Sequence, residues 1–191
     1  MASLAMVLTL LLIAATAMPP AFSGTSTGEP AEVETWFKKL GTKQEKVTKM
    51  HYYFHDLNRV TSEVVANANN TATSPTLFGM VKVCDNPVTA GPEFNSKQVG
   101  RLQGTYSYTS VRDIVNFICD FTLIFTDVRY NGSTISIFGS NPPSLQHREM
   151  AVVGGTGVFR MARGVAVLSA YYFDVAKGNA TVELNIVVQH Y

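Results

Sequence analysis

The stretch from Val115 to Asp127, VNFICDFTLIFTD, decides the fold class of this chain. Apolar side chains occupy every second position from Val115 to Phe125, and an aspartate closes the series. Neighbouring side chains of a β-strand point to opposite faces of the sheet, so this alternation predicts a long strand with one buried face.

Most of the chain beyond residue 45 shows the same two-residue period. Thr48, Met50, Tyr52, Phe54 and Asp56 share one face of a predicted strand. Further strands are predicted at Leu77–Cys84, Val99–Tyr108, Ser133–Gly139, Arg148–Val153, Val158–Leu168 and Ala180–His190. About eight or nine strands without an interior helix indicate an all-β barrel or sandwich, and a barrel of eight strands can hold one small ligand.

Turn-forming residues separate these predicted strands. They are Asp85-Asn86-Pro87, Asn131-Gly132, Asn141-Pro142-Pro143, Gly154-Gly155 and Lys177-Gly178-Asn179. The glycine cluster at residues 154–157 could also suggest a phosphate-binding loop, but such a loop needs a Lys-Ser/Thr pair after its last glycine, and Val158-Phe159 follow here. We therefore interpret the cluster as a hairpin turn.

Residues 1–23 are typical of a secretory signal peptide. Leu4–Ala17 is apolar apart from two threonines, and this length is too short to span a bilayer. We expect cleavage near Ser23-Gly24, a soluble secreted protein and no membrane-spanning segment. Residues 24–45 are predicted to be an N-terminal arm with a short helix over Pro30 to Leu40.

The sequons and the cysteines also relate to the secretory compartment. Asn-x-Ser/Thr sequons begin at Asn69, Asn131 and Asn179, so we predict glycosylation of the secreted chain. Cys84 and Cys119 are the only cysteines. An oxidising compartment would allow them to pair, whereas their strand-like surroundings favour two free, buried thiols, and both alternatives stay open.

The charge and the motif content exclude several classes of function. Fifteen basic and fourteen acidic residues give a net charge of +1 without a cationic stripe, so no nucleic-acid partner is expected. His51 and His55 are four residues apart on a strand, roughly 13 Å, and cannot chelate one metal ion. Since motifs for dinucleotides, haem or a nucleophilic serine are also missing, we expect no metal and no cofactor.

Several polar side chains are candidates for the lining of a barrel. Asp56 closes an apolar strand face and could give or take a proton at the barrel mouth, although a solvated strand end is an equal alternative. Tyr106 and Tyr108 lie two apart and could stack on an aromatic ligand or belong to the core. Among the arginines, Arg148, Arg160 and Arg163, some must pair with carboxylates or point outward.

Six short motifs follow one another along the chain. They are Tyr53-Phe54-His55-Asp56, Phe78-Gly79, Asp85-Asn86-Pro87-Val88-Thr89, Ser96-Lys97-Gln98-Val99-Gly100-Arg101 with Gln103-Gly104, Tyr130-Asn131-Gly132-Ser133-Thr134, and the run from Arg148-Glu149-Met150 to Gly164. This series resembles the plant dirigent proteins over residues 46–191. The resemblance implies that these residues form one dirigent domain, an eight-stranded antiparallel β-barrel of the dirigent or allene-oxide-cyclase-like type, and that the protein is a homotrimer secreted to the apoplast.

The resemblance also implies a small phenolic substrate. Dirigent proteins lack redox centres and hold phenoxy radicals, made by a separate laccase or peroxidase, so that phenylpropanoid coupling gives one stereoisomer of a lignan. Related members, the pterocarpan synthases, cyclise an isoflavonoid through a quinone methide. Whether this chain is itself an enzyme therefore stays open.

The site residues follow from the matching motifs. Asp56 is similar to the pocket aspartate of the family, Tyr106 and Tyr108 to the tyrosines after the GRxQG motif, and Arg148 to the arginine that precedes an acidic residue. The resemblance thus implies catalytic roles for Asp56 and Arg148 and substrate binding by Phe54, Tyr106, Tyr108 and Asn141. Asn141 stands where pinoresinol-forming members have an aspartate, a departure closer to the subfamily that includes pterocarpan synthases.

Overall fold

The computed structural model describes residues 28–191. The predicted signal peptide and the first residues of the predicted arm lie outside this range. The helix expected in the arm is confirmed as α1 (Pro30–Lys38), which is followed by a 3-10 turn at Leu40–Thr42. Within residues 28–191, none of the helices has the length and apolar character needed to cross a bilayer.

The rest of the described chain is almost entirely β-structure. The strands are β1 (Lys46–Asp56), β2 (Ser62–Ala66), β3 (Val81–Thr89), β4 (Gln98–Tyr108), β5 (Phe117–Phe125), β6 (Thr134–Ser140), β7 (His147–Thr156), β8 (Arg163–Asp174) and β9 (Asn179–His190). Every pairing between them is antiparallel.

Eight of these strands close into a barrel. The order runs β1-β9-β8-β7-β6-β5-β4-β3, and β3 returns to β1 through the pairs Tyr53–Thr89 and Phe54–Val88. Strand β2 is not part of the ring, because it pairs only with the first half of β3. The predicted all-β barrel of eight antiparallel strands is therefore confirmed.

The inward side chains fill one end of the barrel and leave the other end hollow. At the filled end, Phe125 packs against Tyr130 and Phe159, with ring centroids 5.2 and 5.3 Å apart, and Phe159 contacts the ring of His190 at 5.1 Å. The alternation that predicted β5 is confirmed, since Cys119, Leu123 and Phe125 are fully buried. The strand is shorter than expected at both ends.

One predicted turn is wrong. Asp85-Asn86-Pro87 lies inside β3, and Pro87 is paired with Arg101 of β4. The N–H of Asp85 donates to the Thr61 carbonyl at 2.8 Å, so the nitrogen of Pro87, two residues on, faces the same side. On that side β2 has ended and pairing with β1 begins only at Val88, so the missing N–H of Pro87 costs no ladder hydrogen bond.

The glycine cluster is also placed differently. Gly154 and Gly155 continue β7 instead of ending it, and the turn begins at Gly157, whose φ is +62°. A 3-10 turn at Gly157–Phe159 follows, so β8 starts at Arg163 and not at Val158. A side chain on Gly155 would place its Cβ 2.6 Å from the carbonyl oxygens of Phe159 and Thr134, which explains a glycine in an extended strand.

Candidate ligand-binding cavity

The hollow end of the barrel holds a cavity of about 530 Å³. Its wall comes from the end of β1, β4 and β8 and from the start of β3, β5, β7 and β9, which antiparallel pairing brings to the same rim. The volume lies within the usual range for small-molecule sites, about 300–1,000 Å³.

Aromatic rings form a continuous part of this wall. Tyr108 and Phe117 meet edge to face with centroids 4.5 Å apart, and Tyr106 lies 5.5 Å from Phe117 and 6.5 Å from Phe121. Phe54 reaches the same group through Phe121 at 6.4 Å. These rings offer an apolar surface on which a planar ligand can stack.

Asp56 and Tyr106 are joined inside the cavity. The Tyr106 hydroxyl donates to Oδ2 of Asp56 at 3.1 Å, which fixes the carboxylate at the wall. Burial, and then the nearby Asp56 charge, raise the pKa of Tyr106, and the same two causes raise the pKa of Tyr108. Both phenols therefore stay protonated near neutral pH and act as hydrogen-bond donors.

Three side chains of the cavity wall carry a buried polar atom that no described residue contacts by a hydrogen bond. These atoms are Oδ1 of Asp56, Oδ1 of Asn141 and Nε of Arg148. The Arg148 side chain is 6% exposed and forms no ion pair with any described residue. Burial lowers its pKa, and the Cys119 thiolate would oppose that effect.

Both cysteines are free, buried thiols of the hydrophobic core. Burial raises the pKa of Cys84 and of Cys119 to about 12. The Asn141 amide donates to the Cys119 sulfur at 3.5 Å, which holds the amide against β5. Both thiols therefore stay protonated near neutral pH and pack as core groups rather than act as nucleophiles.

A family model described as dirigent-like protein matches residues 47–189, from β1 to the last residues of β9. The chain belongs to the dirigent family. Dirigent protein 11 of Arabidopsis thaliana is 43% identical over 153 residues, which are 78% of this chain and 78% of that protein.

Relatives named pterocarpan synthase are about as similar in sequence to this chain as relatives named dirigent protein. Pterocarpan synthase 1 of Glycyrrhiza echinata is 44% identical over 156 residues, covering 80% of this chain and 82% of the relative. The solved structure of a pterocarpan synthase dirigent protein is also 44% identical and superposes with a TM-score of 0.72 over 78% of this chain and 87% of that one. The family and the barrel are thus established, and the similarity extends equally to a dirigent protein and to a pterocarpan synthase.

The cavity brings together all of the residues expected to contact a ligand. Phe54, Asp56, Tyr106, Tyr108, Asn141 and Arg148 line it. Their catalytic and substrate-binding roles stay predictions. The other two arginines lie elsewhere, because Arg163 pairs with Glu45 at 2.7 Å and Arg160 lies 5.4 Å from the ring of Trp36 in α1.

Three polar residues of this wall were not predicted from the sequence, namely Asn58, Lys82 and Asn86. Lys82 and Asn86 of β3 both line the cavity, with 7% and 1% of their surface exposed. Lys82, Cys84 and Asn86 share the buried face of β3, whereas Val81, Val83 and Asp85 lie on the other face. The alternation is misleading here because the valines lie on the outer face, and Asn86 was also missed because Asp85-Asn86-Pro87 was interpreted as a turn.

The sequons lie outside the cavity wall. Asn69 is exposed in the loop after β2, whereas Asn131 and Asn179 are half-buried. Oδ1 of Asn179 accepts a hydrogen bond from the backbone N–H of Asn58 at 3.0 Å. Glycosylation stays a prediction, and Asn69 is the sequon with the most accessible side chain.

Proposed function

We propose that this dirigent family member binds a small planar phenol in the barrel cavity and directs the stereochemistry of phenoxy-radical coupling. The substrate class is a phenylpropanoid such as coniferyl alcohol, and a separate laccase or peroxidase supplies the radicals. Membership of the family and the aromatic wall of the cavity support this proposal.

The observation that carries the proposal is the set of buried polar atoms in the cavity wall that have no hydrogen-bond partner within residues 28–191. Buried polar groups in native proteins are almost always hydrogen-bonded, so these atoms call for a ligand with matching groups. Oδ1 of Asp56 can accept from a hydroxyl of the ligand, and Nε of Arg148 can donate to a phenolic oxygen that gains negative charge.

Face selection follows from this arrangement. A planar ring that stacks on Tyr106, Tyr108 and Phe117 exposes one face to the second reactant, and the polar contacts at Asp56 and Arg148 prevent the ring from turning over. A difference of about 1.4 kcal/mol between the two competing transition states is enough for a tenfold excess of one enantiomer.

A second candidate reaction is the cyclisation of an isoflavonoid through a quinone methide. The 44% identity to a pterocarpan synthase favours it, as does the amide of Asn141 at a cavity position where an aspartate would exchange protons. In this reaction the ligand is a single molecule, and Asp56 is the group that manages the proton.

A product screen with and without an oxidant tests the proposal. With coniferyl alcohol and a one-electron oxidant, we expect the wild-type protein to give an excess of one lignan enantiomer on a chiral column. Turnover of an isoflavanol in the absence of oxidant would instead identify the second reaction. A racemic dimer together with no isoflavanol turnover would contradict both.

The same assay with Asp56→Asn tests the role of the carboxylate. We expect the ratio of enantiomers to fall about tenfold, the effect of losing about 1.4 kcal/mol of discrimination. Asp120→Asn is the matched control, since Asp120 is exposed on β5 and bonds to Thr105 instead of lining the cavity. An Asp56→Asn protein with wild-type product ratios would mean that the carboxylate takes no part.

A further inference from the structure

Lys82 is a buried cation of the cavity wall that the proposed reaction does not use. Its side chain is 7% exposed, and its Nζ donates to Oδ1 of Asn58 at 3.1 Å and lies 5.4 Å from the ring centroid of Tyr106. An ammonium group has three donors, so one hydrogen bond leaves two of them without a partner among the described residues.

The position of the ammonium group is fixed from both sides. Lys82 on β3 is directly paired with Tyr106 on β4. Asn58, which accepts the hydrogen bond, is itself held by Asn179, whose Oδ1 accepts from the Asn58 backbone N–H, and by the Lys177 carbonyl at 3.4 Å. The charge is therefore presented at a defined point of the wall, next to an aromatic ring.

The charges that line the cavity do not balance. Lys82 and Arg148 are its cations and Asp56 is its anion, so the described lining carries one excess positive charge. No described residue forms an ion pair with either cation. Buried charges are costly unless they are paired, and an anionic ligand is the partner that would complete this site.

We propose that Lys82 binds a carboxylate of the substrate and that the cavity prefers phenylpropanoid acids to the corresponding neutral alcohols. This inference rests on the proposed function, since it assigns the substrate class of the same cavity. Charge-assisted hydrogen bonds from Nζ hold the carboxylate, and the phenolic ring of the ligand lies against the adjacent aromatic wall.

Ferulate and coniferyl alcohol form the matched pair of probes, because they differ only in a carboxylate in place of a hydroxymethyl group. Calorimetric titration of the full-length protein at pH 7, without oxidant, measures both affinities. We expect ferulate to bind about tenfold to a hundredfold more tightly than the alcohol, the range for a hydrogen bond to a charged group.

Substitutions at Lys82 assign this preference to its charge. We expect Lys82→Met and Lys82→Gln to remove the preference and Lys82→Arg to keep it. Lys49→Met is the matched control, because Lys49 is exposed on β1, and it should bind both probes as the wild type does. Two neutral variants are included so that the failure of one to fold does not end the experiment.

The outcomes separate this inference from the proposed function. Equal affinity for the two probes would overturn the inference about Lys82. An enantiomeric excess in the coupling assay would still support the proposed function. An equal loss of affinity for both probes in Lys82→Met would also overturn the inference, because it would mean that Lys82 supports the cavity wall without binding the carboxylate. If neither probe bound and the coupling products were racemic, the proposed function itself would fall.

Discussion

His55 is a buried titratable side chain on the strand that carries Asp56. It is 2% exposed, and its Nε2 lies 2.9 Å from the Thr89 hydroxyl. That hydroxyl donates to the Gly91 carbonyl at 2.7 Å, so Nε2 is the nitrogen that carries the proton. Nδ1 then accepts from the Thr181 hydroxyl at 3.2 Å. These roles are those of the neutral imidazole, and burial favours that form because it lowers the pKa of His55.

A pH-dependent stability follows from this arrangement. Burial lowers the pKa of His55 below its ordinary value of 6.5, so the unfolded chain binds this proton more readily than the folded chain does. The contribution of His55 is fully present above pH 6.5 and is lost as the pH falls towards its folded-state pKa. We expect the unfolding temperature of the wild type to fall more steeply between pH 7 and 5 than that of His55→Gln.

The control for these thermal unfolding measurements is His147→Gln. His147 is an exposed histidine that bonds to Ser169 at 2.9 Å. It should keep the steep wild-type dependence in the thermal melts. Parallel curves for the wild type and His55→Gln would show that His55 does not contribute to the acid sensitivity.

Asp56 was predicted as a cavity residue from the sequence, whereas Lys82 was not. Asp56 closes an apolar alternation and belongs to a recognisable motif, so both its face and its site were predictable. Lys82 lies on a strand whose bounds were predicted incorrectly, and no sequence motif marks it as a buried lysine. Its inward position is decided by the pairing of β3 with β4, a contact between distant segments.

At the scale of elements, strands with an unbroken period were predicted closely. The strands β1, β4 and β9 begin and end within about two residues of their predicted bounds, which is the usual precision for such patterns. The short β2 was missed because only one of its side chains is buried and the alternation is therefore weak. Proline and glycine usually mark turns, but Pro87 and Gly155 lie inside strands. Contacts with other segments of the chain explain why these residue types occur there.

The glycines of β7 give a direct test at this scale. We expect Gly155→Ala to destabilise the protein by about 1–3 kcal/mol, because its methyl group would meet two backbone carbonyl oxygens that cannot move freely. Gly154→Ala should change the free energy of unfolding by less than about 0.5 kcal/mol, since no heavy atom of the described residues lies within 4 Å of the added Cβ. Denaturant titration of both variants measures the difference. Equal effects would rule out close packing as the reason for Gly155.

At the scale of the whole molecule, the distribution of large side chains creates the site. The cluster of Phe125, Tyr130 and Phe159 closes one end of the barrel, whereas the opposite rim bears smaller residues such as Ala170, Gly178 and Ala180 between the aromatic walls. Barrel closure could be predicted from strand number and period. The location of the hollow end could not, because it depends on how side chains from all strands share the interior.

Secretion, glycosylation and the homotrimer stay predictions at this scale. The signal peptide lies outside the described residues. Apolar side chains on the outer face of the barrel, such as Phe138 on β6 and Val153 on β7, are 50% and 59% exposed and would be covered in an oligomer. Sedimentation of the processed protein measures its oligomeric state.

The enantiomer ratio of the product tests most directly whether the cavity decides handedness. Ala180 lines the cavity beside Asp56, its partner in the β1–β9 pairing, so Ala180→Phe fills the site. Ala72→Phe adds the same ring to an exposed position in the 3-10 turn Thr71–Thr73. We expect an excess of one enantiomer for the wild type and Ala72→Phe and a nearly racemic product for Ala180→Phe. An undiminished excess from Ala180→Phe would contradict this prediction.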